Sequence, residues 1–458
     1  MLKFLAASTT GDFVGSKNMA SDLWQVIVLP GSGFAGDGTS LVVASDPAVL
    51  ALFHNQPEGF SQTHYNAFEP RLGVAYSVND KTILRASSGI FHNRVTLNDS
   101  SLLGGNPPFQ PQVSVSNGLV DNPGAGGAAN LPFSMTAQDL TFNHPTSYVW
   151  ATGVQREMPF GFVLDVTYVG RLGRSLQRER NINQLLPGTL QANPGVNIAA
   201  LRPYLGYGAI RLSENAGRST YNSLQISADR RYANGLKIGA AYTLGKSEDN
   251  ASTKRDVVWN TYDDSGFWGA SSFDRRHVLN IYYIYDLPFW KDQKTLLKNL
   301  AGGWQVSGAT FFRTGTPFSV TRSNDIAGVG DGNFNQPFNL VGDPIAGANR
   351  EFSAGSGNDQ NFWINTAAFA APTAGTFGNA SRNLIYNPGE QNWDIAFFKN
   401  FRLSGSQRLQ FRMEMFNFIN HPNWNNIASS DPSNANFGRI TSKRDERRDV
   451  QLSLRYQF

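Results

Sequence analysis

The stretch that decides the fold is DVQLSLRYQF, Asp449–Phe458, at the end of the chain. Every second residue in it is large and apolar: Val450, Leu452, Leu454, Tyr456 and Phe458. The residues between them are all polar. A period of two predicts a β-strand with one apolar and one polar face. Because chain ends usually fray, so regular a strand at the last residue must have a structural role.

The composition is that of alternating apolar and polar residues. Of the 458 residues, 12% are aromatic and only 16% are charged, and there are 32 Phe and 45 Gly. The mean hydropathy is nevertheless -0.32. No stretch approaches the roughly 18 consecutive apolar residues of a membrane-spanning helix, so a membrane protein with this sequence would have to be a β-barrel.

Three further features of the sequence limit the class of protein: its cysteine content, its net charge and its first residues. The absence of cysteine excludes a disulfide framework and thiolate chemistry. A net charge of +4 over the whole chain is too small to indicate a nucleic-acid partner. The segment Met1–Ser8 turns polar too early for a secretory signal. Two interpretations remain: a cytoplasmic protein, or a sequence that lacks its true beginning.

Segments with the period of a strand recur from about residue 68 onward. Each is close to the 9 to 11 residues or so that cross a bilayer as a tilted strand. We predict about eleven of them, near Arg71–Val78, Thr82–Phe91, Ser147–Glu157, Gly161–Arg171, Thr220–Arg231, Leu236–Lys246, Arg276–Leu287, Trp304–Arg313, Trp393–Arg402, Arg408–Phe418 and Arg448–Phe458.

The connections between these strands alternate between short and long. The long ones cover about His92–Thr146, Leu172–Ser219, Ser247–Arg275, Thr314–Asn392 and Asn420–Arg447. Short turns at one rim and long loops at the other are typical of outer-membrane barrels, whose longer loops are extracellular. The sequence therefore predicts an all-β fold, an antiparallel transmembrane β-barrel with long extracellular loops.

The predicted number of strands indicates how much of a barrel this sequence contains. Bacterial single-chain barrels have an even number of strands, and the predicted count is odd. We therefore expect the C-terminal part of a larger barrel. On this interpretation residues 1–67 are a loop-rich segment, an extracellular loop of the truncated barrel, and residues 68–458 are the barrel domain.

Several stretches resemble the Oar-like TonB-dependent receptors of the outer membrane. One is SSFDRRHVLNIYYIYDLPF, and the resemblance extends over roughly residues 60 to 458. The matching stretches, in order, are Asn66–Arg94, Ser219–Asn250, Ser271–Phe289, Gly302–Val320, Asn387–Trp424 and Phe437–Phe458.

This resemblance implies a fold and a function. The family has a barrel of about 22 strands closed around an N-terminal plug, with energy delivered through TonB. The chain shows about half of that wall and neither plug nor TonB box, so TonB would act only through the missing plug. We expect a non-enzymatic transporter or receptor of the cell outer membrane that binds and passes an unknown solute.

Two other functions fit the same sequence. The first is a self-contained porin-like or adhesin-like barrel without energy coupling, which requires an even strand count. The second is a secreted β-rich carbohydrate-binding protein, which would need no detergent for extraction.

Motifs for cofactors and metals are weak. The stretch GSGFAG, Gly31–Gly36, has the spacing of a dinucleotide-binding loop, but no helical pattern follows it. Asp325–Asn333 together with Asp343 could offer oxygen ligands to calcium, yet the spacing of a calcium loop is missing. The six histidines have no partner at i+3 or i+4. We predict no cofactor and no metal.

Candidate contact residues fall into four groups. The loop that follows Ser247 carries paired carboxylates and the aromatic residues Trp259, Tyr262 and Trp268, which could stack on a ligand or could belong to a solvated loop. Asp165, Lys237, Arg412 and Arg455 are predicted to face the lumen, where charge tunes selectivity.

The other two groups concern the membrane and barrel assembly. Arg275 and Arg276 are predicted at the outer rim beside His277, with Asp274 as a partner, and could bind the phosphates of lipopolysaccharide. Tyr456 and Phe458 resemble the terminal signal that the barrel-assembly machinery recognises. Outer-membrane lipid and lipopolysaccharide are thus expected partners.

Overall fold

The protein forms one long antiparallel wall of strands. The computed structural model describes residues 65, 67–93, 134–139, 143–205, 207–289, 301–322, 324–330, 335–348, 350, 362–402, 407–444 and 447–458. Eleven strands follow one path in chain order, and each lies on one of the segments predicted from periodicity. They are β1 (Arg71–Asn79), β2 (Thr82–His92), β3 (Thr146–Met158), β4 (Phe162–Asn181), β5 (Ile210–Ala233), β6 (Leu236–Asp249), β7 (His277–Asp286), β8 (Trp304–Arg313), β9 (Glu390–Arg402), β10 (Arg408–Phe416) and β11 (Asp449–Gln457).

The strand pairing gives the wall two chemically different faces. Residues opposite each other in neighbouring strands share a face, since side chains alternate along a strand. One row that crosses the last five strands, β7 to β11, is apolar: Leu452, Met413, Phe397, Val306 and Tyr285. The next row is largely polar: Ser453, Arg412, Phe398, Gln305 and Asp286. The alternation seen in the terminal strand thus continues across these five strands.

The long loops hold most of the buried apolar side chains among the described residues. One cluster consists of Val320, Phe338, Ile364, Ala368, Phe369, Ile385 and Phe437, all of them outside the eleven strands. The large side chains of the apolar wall face remain partly or largely exposed. This distribution is expected of a wall whose apolar face is covered by lipid and whose loops pack against one another.

Two strands are longer than predicted. Residues 172–219 were expected to form a loop, but β4 and β5 continue to pair as far as Asn181 opposite Arg211. The ladder shifts register between Gly173 and Leu176 and again before Arg178. These irregularities break the period of two in the sequence, although the hydrogen-bonded pairing continues beyond them.

The wall is open among the described residues. The first and last strands, β1 and β11, are edges of the sheet and do not pair with each other. A short strand, Met135–Gln138, pairs with β5 in parallel, and Gly269–Ala270 pairs with β6. The closed barrel and its 22 strands therefore stay predictions.

In the part of the chain that the structure describes, no helix combines the length and apolar character needed to span a bilayer. The expected outer loop at residues 1–67 lies almost wholly outside the described residues.

Candidate functional site

The polar face of the wall carries all four residues predicted to face the lumen. Pairing sets Asp165 opposite Ser227, Lys237 opposite Ile284, Arg412 opposite Ser453 and Arg455 opposite Gln410, all on the face opposite the apolar row. They do not form one cluster. Asp165 accepts a 2.6 Å hydrogen bond from the Thr167 hydroxyl, and Arg412 Nη2 lies 2.7 Å from Glu414 Oε1. That this face lines a lumen stays a prediction.

Tyrosine–aspartate pairs add to the polar face, and sequence reasoning missed them. The Tyr282 hydroxyl donates to Asp229, and the Tyr232 hydroxyl donates to Asp286. Gln305 Nε2 also donates to Asp286, at 2.7 Å. The doublet Tyr282–Tyr283 breaks the alternation in the sequence because it places one tyrosine on each face of β7. Phenol and carboxylate together make this face a hydrogen-bonding surface.

At the loop end of the wall, Glu390 is a carboxylate surrounded by arginines. Its side chain is fully buried and pairs with Arg275, at 2.8 Å between Nη1 and Oε1, and with Arg313 and Arg444. Three separate segments therefore meet at the first residue of β9. Removing the carboxylate would leave three cations close together, which is costly. We interpret Glu390 as the residue that holds the loops to the wall through these ion pairs.

The prediction that Asp274 pairs with the rim arginines was wrong. Asp274 does not pair with Arg275 or His277. Its carboxylate accepts from the Ser247 amide at 2.6 Å and from the Tyr386 hydroxyl at 2.7 Å. Burial, and then this hydrogen bond, raise the pKa of Tyr386 far above its usual range. Asp274 is buried, so a carboxylate at that position needs the nearest donors, whichever segment supplies them.

The three aromatic residues predicted to contact a ligand differ in exposure. Trp259 is only 8% exposed and packs edge-on against Phe267, with 4.7 Å between ring centroids. Tyr262 is exposed and its hydroxyl donates to the Gln184 carbonyl at 2.6 Å. Trp268 is half-buried. Trp259 therefore belongs to the loop core, whereas Tyr262 and Trp268 present ring surface to the outside.

The carboxylates considered as calcium ligands accept hydrogen bonds from nearby backbone amides. Asp325 accepts from the amides of Val329 at 3.0 Å and Gly330 at 2.7 Å, and Asp343 accepts from Ile345 at 2.9 Å. These are turn contacts. Within the described ranges, no group of three or more His, Asp or Glu side chains is arranged to hold a metal. The glycine motif Gly31–Gly36 lies outside the described residues.

The terminal aromatic residues lie at the free edge of the wall. Phe458 is 91% exposed, and its ring centroid lies 6.0 Å from that of Tyr456. Both are therefore accessible to another protein. Their role as an assembly signal stays a prediction.

Comparison with solved structures gives distant similarity to outer-membrane transporters. The outer membrane transporter YddB from Escherichia coli is 10% identical, with a TM-score of 0.44 over 84% of this chain and 40% of that one. The FrpB iron transporter (F5-1 variant) from Neisseria meningitidis is 11% identical, with a TM-score of 0.40 over 84% and 39%. This chain thus spans about 40% of the length of either protein. No curated protein matches the sequence.

A family model gives the assignment. The model for the outer membrane beta barrel domain matches residues 14–451, which is nearly the whole chain. The same residues contain all of β1 to β10, with their apolar and polar faces and their long loops at one rim. The chain therefore belongs to the family of outer-membrane β-barrel domains, and the protein lies in the outer membrane.

Proposed function

We propose that this chain forms wall and outer loops of an Oar-like, TonB-dependent transporter or receptor that binds a solute outside the cell and passes it inward. The observation that carries this proposal is the two-faced wall of eleven strands with folded long loops at one rim. A wall of this kind encloses a polar passage once its edges are paired. We assign no contact with TonB to the described residues.

The polar face supports the passage of a hydrophilic solute. Lys237, Arg412 and Arg455 place cations on it, and Asp165 and Asp229 place carboxylates there. Mixed charges and tyrosine hydroxyls can exchange hydrogen bonds with a polar solute along the wall. We assign them a role in selectivity and none in catalysis.

Capture of the solute is assigned to the loop that carries Tyr262 and Trp268. Aromatic rings offer a large contact surface at a small entropic cost. The Tyr262 ring is held by its hydrogen bond to Gln184 and by its amide, which donates to Asn260 at 3.1 Å. A ring fixed in this way loses little freedom on binding.

The two alternative functions differ from the proposal in what they predict. A porin-like barrel would share the two-faced wall, so the vesicle-swelling experiment below decides between the two. A secreted carbohydrate-binding protein does not fit a member of an outer-membrane family.

A binding experiment tests the capture step. The full chain is reconstituted in vesicles, and a neutral oligosaccharide, a short peptide and a ferric chelate are titrated separately. We expect saturable binding of one class, weakened at least about tenfold by the double variant Tyr262→Ala/Trp268→Ala. The matched control is Phe160→Ala, which removes an 88% exposed aromatic ring at the opposite rim and should leave binding unchanged.

Two results would overturn the proposal. One is equal loss of binding in the loop variant and in the Phe160→Ala control. The other is vesicle swelling in sugars at rates that depend only on sugar size, without any inner-membrane partner, since this is the behaviour of an open porin.

The terminal aromatic residues have a separate test. We propose that Tyr456 and Phe458 direct assembly, and the variant Phe458→Ala should insert more slowly into vesicles that contain the purified assembly machinery. Phe68→Ala, another exposed phenylalanine beside an edge strand, is the control. Equal insertion rates for the two variants would contradict the proposed role.

A further inference from the structure

A cavity of about 570 Å³ lies between the polar face of the wall and the loop that joins β6 to β7. Its wall side includes Tyr221 of β5 and Thr243 of β6. Tyr221 is an even number of residues from Ser227, and Thr243 is an even number of residues from Lys237. Because side chains alternate along a strand, both lining residues share the polar face with Ser227 and Lys237. The cavity therefore lies on the face that we assign to the passage.

The cavity is located at the loop end of these strands. Tyr221 stands opposite Ser247, close to the end of β6 at Asp249. Ser252 and Phe273, both in the loop that joins β6 to β7, line its other side. The same loop carries the two rings to which we assign capture of the solute. A solute that moves from this loop to the polar face reaches the cavity where the wall begins.

The charges of the lining balance one another. Two arginines and two aspartates contribute to it: Arg171, Arg275, Asp249 and Asp274. Asp249 already pairs with the buried Arg382, and Arg275 pairs with Glu390 at 2.8 Å. A ligand with a net charge would lose its hydration here, and the lining has no excess of opposite charge to offset that cost. The cavity therefore favours a neutral ligand.

The lining nevertheless offers many hydrogen bonds. Within the described ranges, the hydroxyls of Tyr221 and Thr243 have no hydrogen-bond partner. Arg171 donates through Nε and Nη2 to the Ser147 hydroxyl, at 3.2 Å and 2.7 Å, so its Nη1 is left for a ligand. Asp274 accepts one hydrogen bond at each carboxylate oxygen, and each oxygen can accept a second one. Donors and acceptors are thus both present.

Aromatic rings and two glycines give the cavity its shape. Phe273 is 61% exposed, so the face of its ring is accessible. The Tyr221 ring packs over Gly245, where a Cβ atom would lie 3.3 Å from it. A Cβ atom at Gly173 would lie only 2.3 Å from the Ser219 hydroxyl, which is part of the lining. Glycine at both positions therefore leaves the rings and hydroxyls open to a ligand.

We infer that this cavity binds a neutral oligosaccharide. A sugar hydroxyl both donates and accepts, so it matches a lining in which Tyr221, Thr243 and Arg171 donate and Asp274 accepts. The apolar faces of the sugar rings pack against the rings of Phe273 and Tyr221. The volume lies within the range of roughly 300–1,000 Å³ that is typical of small-molecule sites.

This inference rests on the proposed function and narrows its solute to one class. A charged ferric chelate would need a counter-charge that the balanced lining does not provide. A short peptide would place its two charged ends among side chains whose own charges are already paired. An uncharged polyol needs only the hydroxyls, the guanidinium donor and the carboxylate acceptor that the cavity presents.

The test is a titration of the full chain in nanodiscs with a neutral glucose trisaccharide. We expect saturable binding that is at least about tenfold weaker in Tyr221→Phe/Thr243→Val, which removes two hydroxyls and keeps the shape of both side chains. The control Tyr148→Phe/Thr152→Val makes the same two changes outside the cavity lining and should bind as the unchanged protein does. The same trisaccharide with every hydroxyl methylated cannot donate, and it should bind the unchanged protein at least about tenfold more weakly.

Three outcomes would overturn the inference. These are equal affinity for the two trisaccharides, unchanged binding by Tyr221→Phe/Thr243→Val, and equal loss in the control variant. If the double variant fails to fold, the comparison of the two trisaccharides on the unchanged protein decides.

Failure of this inference can be told apart from failure of the proposed function. Suppose that a peptide or a ferric chelate binds in a manner that depends on Tyr262 and Trp268, while the trisaccharide does not bind. The inference is then wrong and the proposed function stands. If none of the three solutes binds, both are wrong.

Discussion

The hydroxyl of Tyr386 donates a 2.7 Å hydrogen bond to Asp274 Oδ2, across 112 residues of chain. This contact joins the segment that leads into β9 to the segment that leads into β7. Because Asp274 also accepts from the Ser247 amide at 2.6 Å, it links a third segment at the end of β6. One buried carboxylate therefore connects the loop segments next to three wall strands, β6, β7 and β9.

This pair predicts a loss of loop stability at alkaline pH. Burial, and then the hydrogen bond to Asp274, raise the pKa of Tyr386 above its ordinary value of 10.0. The neutral Tyr386 hydroxyl stabilises the folded loops. This stabilisation is fully present below the pKa that Tyr386 has in the unfolded state. It is lost as pH rises through the folded-state pKa, because the unfolded state releases the proton first. Hydrogen exchange of the loops should accelerate above about pH 10, and less steeply in Tyr386→Phe. Tyr65→Phe, at an 89% exposed tyrosine, is the control and should behave like the unchanged protein.

The buried ion pair of Arg382 and Asp249 predicts a large effect of a single substitution. Arg382 Nη2 donates to the Asp249 carbonyl at 2.6 Å and also pairs with its carboxylate, while Nε donates to the Phe267 carbonyl at 2.9 Å. Arg382→Gln leaves a buried carboxylate without its cation, which costs about 3–5 kcal/mol. Hydrogen exchange should report this loss in residues 249–275. The control Arg231→Gln at an exposed arginine should show no change, and protection that persists in Arg382→Gln would contradict the prediction.

The two faces of the wall predict opposite tolerances at adjacent positions. Ile226 stands opposite Tyr242 on the apolar face, and Ser227 stands opposite Asp165 on the polar face. Ile226→Arg should destabilise the protein in a lipid bilayer by about 2–4 kcal/mol, because an arginine near the middle of the bilayer must leave water. Ser227→Arg should cost far less. Urea unfolding from vesicles compares the two, and equal destabilisation would exclude the orientation of the wall.

A close contact between Gly170 and Trp150 predicts that even an alanine at position 170 destabilises the protein. A Cβ atom at position 170 would overlap the rigid indole of Trp150 on the neighbouring strand. Gly170→Ala must therefore displace the ring, at a cost of about 1–3 kcal/mol. Gly73→Ala is the matched control, because nothing lies within 4 Å of its Cβ position. Tryptophan fluorescence and unfolding in urea should change in the first variant only.

The strands of the wall could be predicted because their information is local. A period of two within ten or so residues predicts a strand and both of its faces, and each strand pairs with the next along the chain. The eleven predicted segments all became wall strands, and Asp165, Lys237, Arg412 and Arg455 lie on one face. The prediction stopped short at β4 and β5 because bulges near Gly173 interrupt the period without ending the ladder.

The loops could not be predicted in the same way, because their contacts join distant segments. Arg382 and Asp249 are 133 residues apart, and nothing in their local sequence points to the pair. The partner of Asp274 was wrong for the same reason.

By itself, then, the sequence determined an antiparallel wall with one apolar and one polar face, since alternation along each strand is a local property of the chain. Only the tertiary structure decided which charges the loops bury together, since those contacts depend on packing between segments far apart in sequence. It also decided that β11, with its apolar Val450, Leu452 and Leu454, lies at an unpaired edge among the described residues. Which strand pairs with an edge depends on geometry across the whole sheet, and alternation within one strand carries no information about it.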